Sequence, residues 1–239
     1  MMNGVYQTQF VCEPVYNLMG RLRAVEVLTK FINESGEILS YTSVQSGLTS
    51  DDKWDIFQRQ MRCIVLWEEY FLQHQLLVSL NVDAEIVERL IENKACLTLL
   101  SAVPFLHLEV SEDFPHSSAG CARSPLHKLL PFTQLWLDDV GSGRQNNFNC
   151  LTKGIFKAAK IDKAFFWQHQ GHEGIERLGK AIRDLTRYAD VVIVEGIERL
   201  EHLRLLAPFS HCWLQGFLFK SVEIEHFKTL PLYIDPLGY

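Results

Sequence analysis

Three observations predict an α/β fold for this sequence, specifically a modified TIM or (β/α)₈ barrel. The chain has 239 residues, close to the ~250 residues of such barrels. Strand-like and helix-like segments alternate along it. Seven strand-like runs end in polar or charged side chains, which are Glu26, Asn81, Glu109, Asp138 with Asp139, Lys160, Glu195 and Gln215. Because the C-terminal ends of barrel strands converge on one mouth, we expect these side chains to meet there.

The runs that precede these residues are apolar almost throughout. Leu76–Asn81, Phe105–Glu109 and Val191–Glu195 are examples. A parallel strand that is buried on both faces has this continuous pattern rather than an alternation of apolar and polar residues. The repeated placement of an acidic or amide side chain at the C-terminal end therefore indicates an acidic site for divalent cations.

The first two strands form a predicted β-hairpin. A strand-like run from Phe10 to Tyr16 is separated from a second run, through Leu28, by the turn Asn17-Leu-Met-Gly20. A short turn that contains glycine joins antiparallel strands, whereas parallel neighbours need a helical crossover. We therefore expect the first strand to run antiparallel to its neighbour, which departs from a regular barrel.

Helices and strands alternate over the rest of the chain, which is predicted to be a single domain, 1–239. Asp51 and Asp52 precede a helical run and suit the positive end of its dipole. The predicted helices are 54–74, 83–92, 173–188, 199–206 and a short one near 223–228. Residues 113–125 are polar and are predicted to form a mobile loop, and residues 229–239 are predicted to form a C-terminal tail.

The bulk properties fit one large core and an acidic site. Hydrophobic residues make up 47% of the chain and the formal net charge is -6. This balance argues against a nucleic-acid polymer as partner, since such surfaces are basic, and no apolar stretch reaches the ~18 residues of a membrane span. The six cysteines are scattered, which is typical of reduced thiols. With no leader pattern at the amino terminus, we expect a cytoplasmic protein.

The strand-end residues have the chemistry of a magnesium or manganese site. Hard cations prefer oxygen ligands, and Glu26, Asn81, Glu109 and Asp138 all offer oxygen atoms. Asp139 follows Asp138 directly and can bridge to a second ion. Two ions ~3.5–4 Å apart stabilise the attacking and leaving oxygens of phosphodiester hydrolysis. Lys160 is expected to orient the attacking water or to balance charge.

Each of these residues has a simpler interpretation when it is taken alone. A strand-end carboxylate is most often a helix cap or a surface charge, and only the joint occurrence on several strands favours a site. Two other motifs are weaker. His169 and His172 have the spacing of metal ligands, but their polar surroundings favour an exposed loop. His107-Leu-Glu109 matches half of a deaminase site and lacks the cysteine motif that must follow.

Seven short motifs resemble, in order, those of EAL domains, the cyclic-di-GMP phosphodiesterase family of bacteria. The resemblance covers residues 10 to about 228. The motifs are Glu26-Val-Leu28, Leu80-Asn81-Val82, Glu109-Val-Ser-Glu112, Asp138-Asp-Val-Gly-Ser-Gly143, Lys160-Ile-Asp162, Glu195-Gly-Ile-Glu198 and Gln215-Gly-Phe217.

The resemblance implies a (β/α)₈ barrel with an antiparallel first strand, two Mg²⁺ or Mn²⁺ ions, and hydrolysis of cyclic di-GMP to linear pGpG, a reaction that controls motility and biofilm switching. It assigns metal binding to Glu26, Asn81, Glu109, Asp138, Asp139, Glu195 and Gln215. It assigns catalytic roles to four residues: Lys160 assists the attacking water, Glu112 anchors the loop after Asp139, and Asp162 and Glu198 support the site. It assigns contact with the dinucleotide to Glu13, Leu28 and Lys30.

Three positions depart from the family pattern. Glu13-Pro14 stands where the family usually has Gln-Pro, which places an anion where a neutral amide meets the ligand. Lys30 stands where an arginine usually contacts a phosphate, so the charge is kept and the bidentate fork is lost. Val140 replaces the phenylalanine of the usual Asp-Asp-Phe-Gly run. None of these changes removes a predicted metal ligand.

Two functions are consistent with these residues. The first is a stand-alone cyclic-di-GMP phosphodiesterase, which the retained ligand set favours. The second is a catalytically silent EAL-like regulator that binds a protein partner, such as the flagellar master transcription regulator, as some stand-alone members of the family do. The departures at Glu13 and Lys30 permit this alternative. A homodimer is left open, and we expect no membrane association.

Overall fold

The computed structural model describes residues 6–114, 124–141, 151–209 and 211–235. Ten strands form one sheet in the order β10-β1-β9-β8-β7-β6-β5-β4-β2-β3, and an additional pairing of β1 with β2 closes the barrel. The strands are β1 Gln7–Asn17, β2 Leu22–Ile32, β3 Ile38–Ser40, β4 Leu77–Asn81, β5 Leu106–Ser111, β6 Gln134–Val140, β7 Phe156–Ile161, β8 Val191–Val194, β9 Cys212–Leu214 and β10 Val222–Glu223.

Strand β1 has the reversed direction that the hairpin turn predicts. It is antiparallel to β2 on one side and to β9 on the other, while the ladders from β2 through β4 to β9 are all parallel. Eight strands therefore close the barrel, and β3 and β10 extend the sheet outside it. The predicted modified (β/α)₈ barrel with an antiparallel first strand is confirmed.

The described helices lie between the strands as the alternation predicts. They are α1 Tyr41–Val44, α2 Ser50–Val65, α3 Glu68–His74, α4 Ala84–Glu92, α5 Lys94–Ala102, α6 Lys163–Gln168, α7 His172–Leu185 and α8 Leu200–Leu206. Thr49 and Asp52 form a reciprocal capping box at the start of α2, which stabilises the first turn. A six-residue 3₁₀ helix, Ile224–Thr229, follows β10.

The prediction of a single helix over 54–74 is wrong. The chain tightens after α2, where Trp67 N–H donates to Ile64 C=O at 3.0 Å, and α3 then begins at Glu68. A bond across three residues is the 3₁₀ pattern with which helices often end. Five further elements were not predicted from the sequence: β3, β10, α1 and α6, which have two to six residues, and α5, which has nine. Of the predicted loop 113–125, residues 115–123 lie outside the described part of the chain.

Alternation of side chains across each strand builds the barrel interior in layers. One layer consists of Val15, Ala24, Trp136, Ala158 and Ile193, all of which are at most 1% exposed. The residue two positions towards the mouth on each of these strands points to the same face. Those positions hold Glu13, Glu26, Asp138, Lys160 and Glu195. The apolar layer therefore supports a layer of charges directly above it.

The remaining core lies between the strands and the surrounding helices. Its members include Phe57 and Ile64 on α2 and Val87 and Leu90 on α4, which are buried against the outer face of the barrel. Among the described residues, no helix has both the length and the apolar character needed to cross a membrane.

Candidate functional site

Lys160 lies at the centre of the charged layer and contacts four carboxylates. Its Nζ atom is 2.8 Å from Glu195 Oε1, 2.9 Å from Glu26 Oε2, and 3.2 Å from both Glu109 Oε2 and Asp138 Oδ1. The side chain is 1% exposed. Strand β7 points Lys160 inward, and β2, β5, β6 and the end of β8 supply the carboxylates, so the predicted convergence of strand ends is what the structure shows.

Two side-chain amides donate hydrogen bonds to the Glu26 carboxylate. Asn81 Nδ2 donates to Glu26 Oε1 at 2.6 Å, and Gln215 Nε2 donates to Glu26 Oε2 at 2.7 Å. Burial works to raise the pKa of Glu26, but the Lys160 ammonium and the two amide hydrogen bonds outweigh it, so the pKa is lowered. Glu26 is therefore the carboxylate that this network holds ionised.

The other carboxyl groups of the charged layer have raised pKa values and so give up their negative charge more readily than Glu26. Burial, followed by the neighbouring carboxylates, raises the pKa of Glu109 well above its usual value. Burial also raises the pKa of Asp138, the pKa of Glu195 to about 8 and the pKa of Asp139 to about 6. Burial opposes the charge of Lys160, yet the carboxylates around it raise its pKa. One ammonium thus compensates four carboxylates only in part.

Several buried oxygen atoms in this layer lack a hydrogen bond among the described residues. They are Glu109 Oε1, Asp138 Oδ1 and Gln215 Oε1. Asp138 Oδ1 is nonetheless ion-paired with Lys160 Nζ at 3.2 Å. Buried polar atoms normally have a partner. Oxygen atoms of this kind are what a hard cation takes as ligands.

Asp138, Asp139 and Glu195 form the group best suited to hold an ion. Each offers one carboxylate oxygen, and these atoms lie within 4.8 Å of one another. Asp139 has a φ of 61°, a left-handed conformation that is rare for residues other than glycine. Strained backbone of this kind is common at functional sites. The donor set and the excess negative charge fit a divalent cation.

A cavity of about 540 Å³ opens above this layer at the barrel mouth. Eleven of the predicted site residues line it: Glu13, Glu26, Leu28, Lys30, Asp138, Asp139, Lys160, Asp162, Glu195, Glu198 and Gln215. The other three, Asn81, Glu109 and Glu112, do not line it. Asn81 and Glu109 instead bond to Glu26 and Lys160 from the side. The structure thus brings the predicted set together.

The residues with predicted supporting roles hold the loops around the mouth. Glu112 Oε2 accepts a hydrogen bond from Gly141 N–H at 3.3 Å, which ties Glu112 to the turn that follows Asp139. Asp162 Oδ1 caps α6 by accepting from Ala164 N–H at 2.9 Å. The N–H of Glu198 donates to His202 Nδ1 at 3.2 Å.

The loop after β8 is packed too closely for any residue but glycine at position 196. Gly196 has a φ of +75°, and a Cβ atom there would lie 2.6 Å from Lys163 Cβ. Trp167 Nε1 donates to Gly196 C=O at 2.9 Å. These contacts fix the backbone between Glu195 and Glu198, so α6 positions two of the predicted site residues.

Eight residues that were not assigned to the site from the sequence also line the cavity. They are Thr29, Ser40, Tyr41, Thr42, Lys163, Gly196, Gly216 and Phe217. Phe217 belongs to the last of the seven motifs and its side chain is 79% exposed, so its place in the motif was the available signal. Tyr41 and Thr42 lie on α1, a four-residue helix with no periodicity that a sequence pattern can show.

Comparison with known proteins agrees with this architecture. The family model of the EAL domain matches residues 7–221. The putative anti-FlhC(2)FlhD(4) factor YdiV of Escherichia coli (strain K12) is 28% identical over 231 residues, covering 96% of this chain and 97% of the relative. The cyclic di-GMP phosphodiesterase PdeH of the same strain is 28% identical over 227 residues, covering 93% and 87%.

Solved structures show the same fold. The crystal structure of the EAL-like domain protein YdiV matches with a TM-score of 0.85 at 27% identity, over 95% of this chain and 97% of that one. The EAL enzyme Bd1971, in a form bound to cAMP and cyclic di-GMP, matches with a TM-score of 0.77 at 18% identity, over 94% and 65%. This protein belongs to the EAL-domain family.

Proposed function

We propose that this protein is a regulator that acts in the cytoplasm by binding a partner protein, as the anti-FlhC(2)FlhD(4) factors do, and that its partner is a flagellar FlhC–FlhD complex. One observation carries the proposal. The match to YdiV runs over 96% of this chain and 97% of that protein, so the two sequences align over nearly their whole lengths. The match in three dimensions covers the same extent.

The barrel mouth supports this proposal through its departures from the phosphodiesterase pattern. Glu13 adds an acid beside Glu26, where an anionic dinucleotide has to bind. Lys30 offers a phosphate one ammonium instead of the bidentate guanidinium of the family. Both residues line the cavity, and both changes weaken binding of a substrate with two phosphate groups.

A binding experiment with purified components tests the proposal. We expect the protein to co-elute with the FlhC–FlhD complex of Escherichia coli in size-exclusion chromatography and to give a saturable isotherm in calorimetry. The Glu26→Gln variant is the matched control, because a partner that binds outside the barrel mouth does not need that carboxylate. Absence of a complex at micromolar concentrations of both components contradicts the proposal.

A second candidate function, hydrolysis of cyclic di-GMP, is favoured by a separate observation. Every predicted metal ligand is present, and three buried oxygen atoms of that set, on Glu109, Asp138 and Gln215, lack a hydrogen bond among the described residues. Asp138, Asp139 and Glu195 would hold one cation, and the remaining oxygen donors of the predicted set are Glu26, Asn81, Glu109 and Gln215. A bound cation activates water and offsets charge on a phosphate.

The residues of the chain would then act in three ways. Lys160 holds Glu26, Glu109 and Glu195 in one arrangement and limits the repulsion between them. Gly196, fixed by Trp167, sets the position of Glu195. Lys30 supplies positive charge at the rim for one phosphate group. Burial of the charged layer strengthens each of these interactions relative to water.

Product analysis separates the two candidates. The protein is incubated with cyclic di-GMP and Mn²⁺, and linear pGpG is measured by chromatography, with PdeH as the positive control. Formation of pGpG that is lost in the Asp138→Asn variant supports hydrolysis. No pGpG together with a stable FlhC–FlhD complex supports the regulator. Turnover by the Asp138→Asn variant equal to that of the unaltered protein contradicts the assignment of the cation site.

A further inference from the structure

The first four residues of β1 have an open edge. Gln7 to Phe10 pair with β2, from Ile32 back to Thr29. On its other side β1 pairs with β10 only at Val11 and Cys12, and with β9 only at Tyr16 and Asn17. Within the described ranges, no strand lies against Gln7–Phe10 on that side. Alternate residues of an antiparallel strand direct both backbone groups to the same side, so two of these four present N–H and C=O groups to this edge.

A groove of about 350 Å³ runs beside the open edge. Its floor is Gln7–Phe10, one wall is formed by Arg59, Arg62 and Leu66 from α2 and its end, and the other by Glu223 and Glu225. The groove exists because β10 stops after two residues and the chain turns into the 3₁₀ helix Ile224–Thr229. An added strand would therefore take the place of a longer β10.

The α2 wall of the groove carries two arginines and is partly apolar, whereas the acids Glu223 and Glu225 on the opposite wall disfavour acidic side chains on their side. The Arg59 guanidinium lies 5.4 Å from the centre of the Phe10 ring. The face of β1 that carries the Phe10 side chain is therefore the one turned towards α2. Arg59 has one exposed, weak ion pair at 3.8 Å with Asp55. Arg62 is exposed and has no ion pair among the residues that the structure describes. Leu66 is 80% exposed.

The open edge also lacks the usual protection. Natural sheets protect an edge with lysine, proline, a bulge or a covering element. Gln7-Thr-Gln-Phe10 contains neither lysine nor proline, and the register with β2 is regular there, with its irregularity only at Val15 and Tyr16. A regular edge with no strand paired to it can take up an extended peptide as an additional strand.

We propose that Gln7–Phe10 bind an extended segment of a partner protein by strand addition, with acidic side chains of that segment facing Arg59 and Arg62. Hydrogen bonds between the two backbones provide the affinity, and the two arginines favour a segment with acidic side chains. Side chains of the added strand that face α2 alternate with side chains that face away, so acidic residues at every second position fit. This inference goes beyond the proposed function because it names a separate recognition surface, which needs neither the barrel mouth nor the flagellar complex.

Short synthetic peptides test the proposal directly. A fluorescent peptide that alternates threonine and glutamate is titrated with the full-length protein, and binding is followed by anisotropy. Two further peptides carry backbone N-methyl groups on all odd or all even residues. We expect the unmodified peptide and one methylated peptide to bind and the other methylated peptide to fail, because only alternate N–H groups donate to β1. Loss of binding by both methylated peptides, or by neither, contradicts strand addition.

Charge reversal tests the selectivity. The Arg59→Glu/Arg62→Glu double variant should bind the glutamate peptide at least about tenfold more weakly, as expected for loss of charged contacts. The matched control is Arg177→Glu/Arg183→Glu on α7, which should bind normally. A lysine peptide that binds as well as the glutamate peptide, or concentration-dependent dimerisation of the protein that competes with the peptide, overturns the proposal.

Discussion

Glu13 and Glu26 lie directly opposite each other on the antiparallel strands β1 and β2. Gln215 Nε2 is 2.7 Å from Glu26 Oε2 and 3.4 Å from Glu13 Oε2, so one amide serves both acids. Burial, and then the charge of Glu26, raises the pKa of Glu13. Like charges directly opposite across two strands destabilise a sheet.

The first prediction concerns this pair. Glu13→Gln should raise the free energy of unfolding at neutral pH by about 1 kcal/mol, since an amide removes the repulsion. The pKa of Glu13 is higher in the folded state than its usual value of 4.5, so its charge destabilises the fold at high pH. The gain should therefore vanish as the pH falls to 4.5. Urea denaturation at several pH values measures it, with exposed Glu34→Gln as the control. An equal gain at acidic and neutral pH contradicts the prediction.

Lys160 provides the second prediction. Lys160→Met should lower the free energy of unfolding by about 3–5 kcal/mol at neutral pH, because the variant leaves four buried carboxyl groups without their cation. The deficit should be larger above about pH 8, where Glu195 loses its proton, and smaller below that pH, where Glu195 is neutral and one charge fewer needs Lys160. Urea denaturation measures both effects.

Lys53→Met is the matched comparison for Lys160. Lys53 also bonds to two carboxylates, Asp83 at 2.9 Å and Glu85 at 3.3 Å, but these are about half exposed. Its loss should cost about 1 kcal/mol or less. Equal losses in the two variants would show that burial does not decide the effect.

The third prediction follows from a buried histidine. Trp136 Nε1 donates to His107 Nδ1 at 2.6 Å, and burial lowers the pKa of His107 from 6.5 to about 4. In the unfolded chain His107 therefore binds a proton below pH 6.5, whereas in the folded protein it does so only below about pH 4. The contribution of His107 to the free energy of unfolding is therefore complete above pH 6.5 and falls by about 3 kcal/mol as the pH decreases to about 4.

The measurement compares variants between these two pH values. His107→Gln keeps a hydrogen-bond acceptor for Trp136 and removes the titration, so its stability should fall less steeply with decreasing pH. Because other groups titrate as well, the informative quantity is the difference between the two pH profiles. His211→Gln, at an exposed site, should reproduce the profile of the unaltered protein. A profile of His107→Gln that is parallel to that of the unaltered protein contradicts a neutral buried histidine.

The fourth prediction concerns Lys30. Lys30→Arg should tighten binding of cyclic di-GMP by up to about tenfold, because a guanidinium makes two parallel bonds to a phosphate. Glu13→Gln should act in the same direction by removing an anion from the cavity wall. Calorimetry on the two single variants and the double variant, in the presence of Mg²⁺, checks this. If turnover is present, KM should fall while kcat stays within a few-fold. No change in any variant would mean that these departures do not limit binding.

The predictions from sequence succeeded where a pattern repeats along the chain. Apolar runs that end in polar residues identified the barrel and gathered Glu26, Asp138, Lys160 and Glu195 at one mouth, because strand direction and alternation fix where such residues point. The glycine turn at Asn17–Gly20 gave the direction of β1. Each of these inferences needs only local sequence.

The same reasoning failed where contacts between distant residues decide the structure. The break between α2 and α3 has no proline or glycine to mark it. The bond between His107 and Trp136 joins residues 29 positions apart, and nothing local pairs them. Lys160 was expected to orient water or to balance charge, and its contact with four carboxylates depends on strands β2, β5, β6 and β8 together.

The apolar layer of Val15, Ala24, Trp136, Ala158 and Ile193 fills the barrel interior beneath the charged layer. These side chains are almost fully buried and fill the described part of the barrel directly below the charges. Whatever enters or leaves the charged layer has to pass the rim, beside Tyr41 on α1 and Phe217. Substitutions at these two rim residues should therefore change how fast an ion exchanges more than they change its equilibrium affinity, because neither residue is a predicted ligand of the ion.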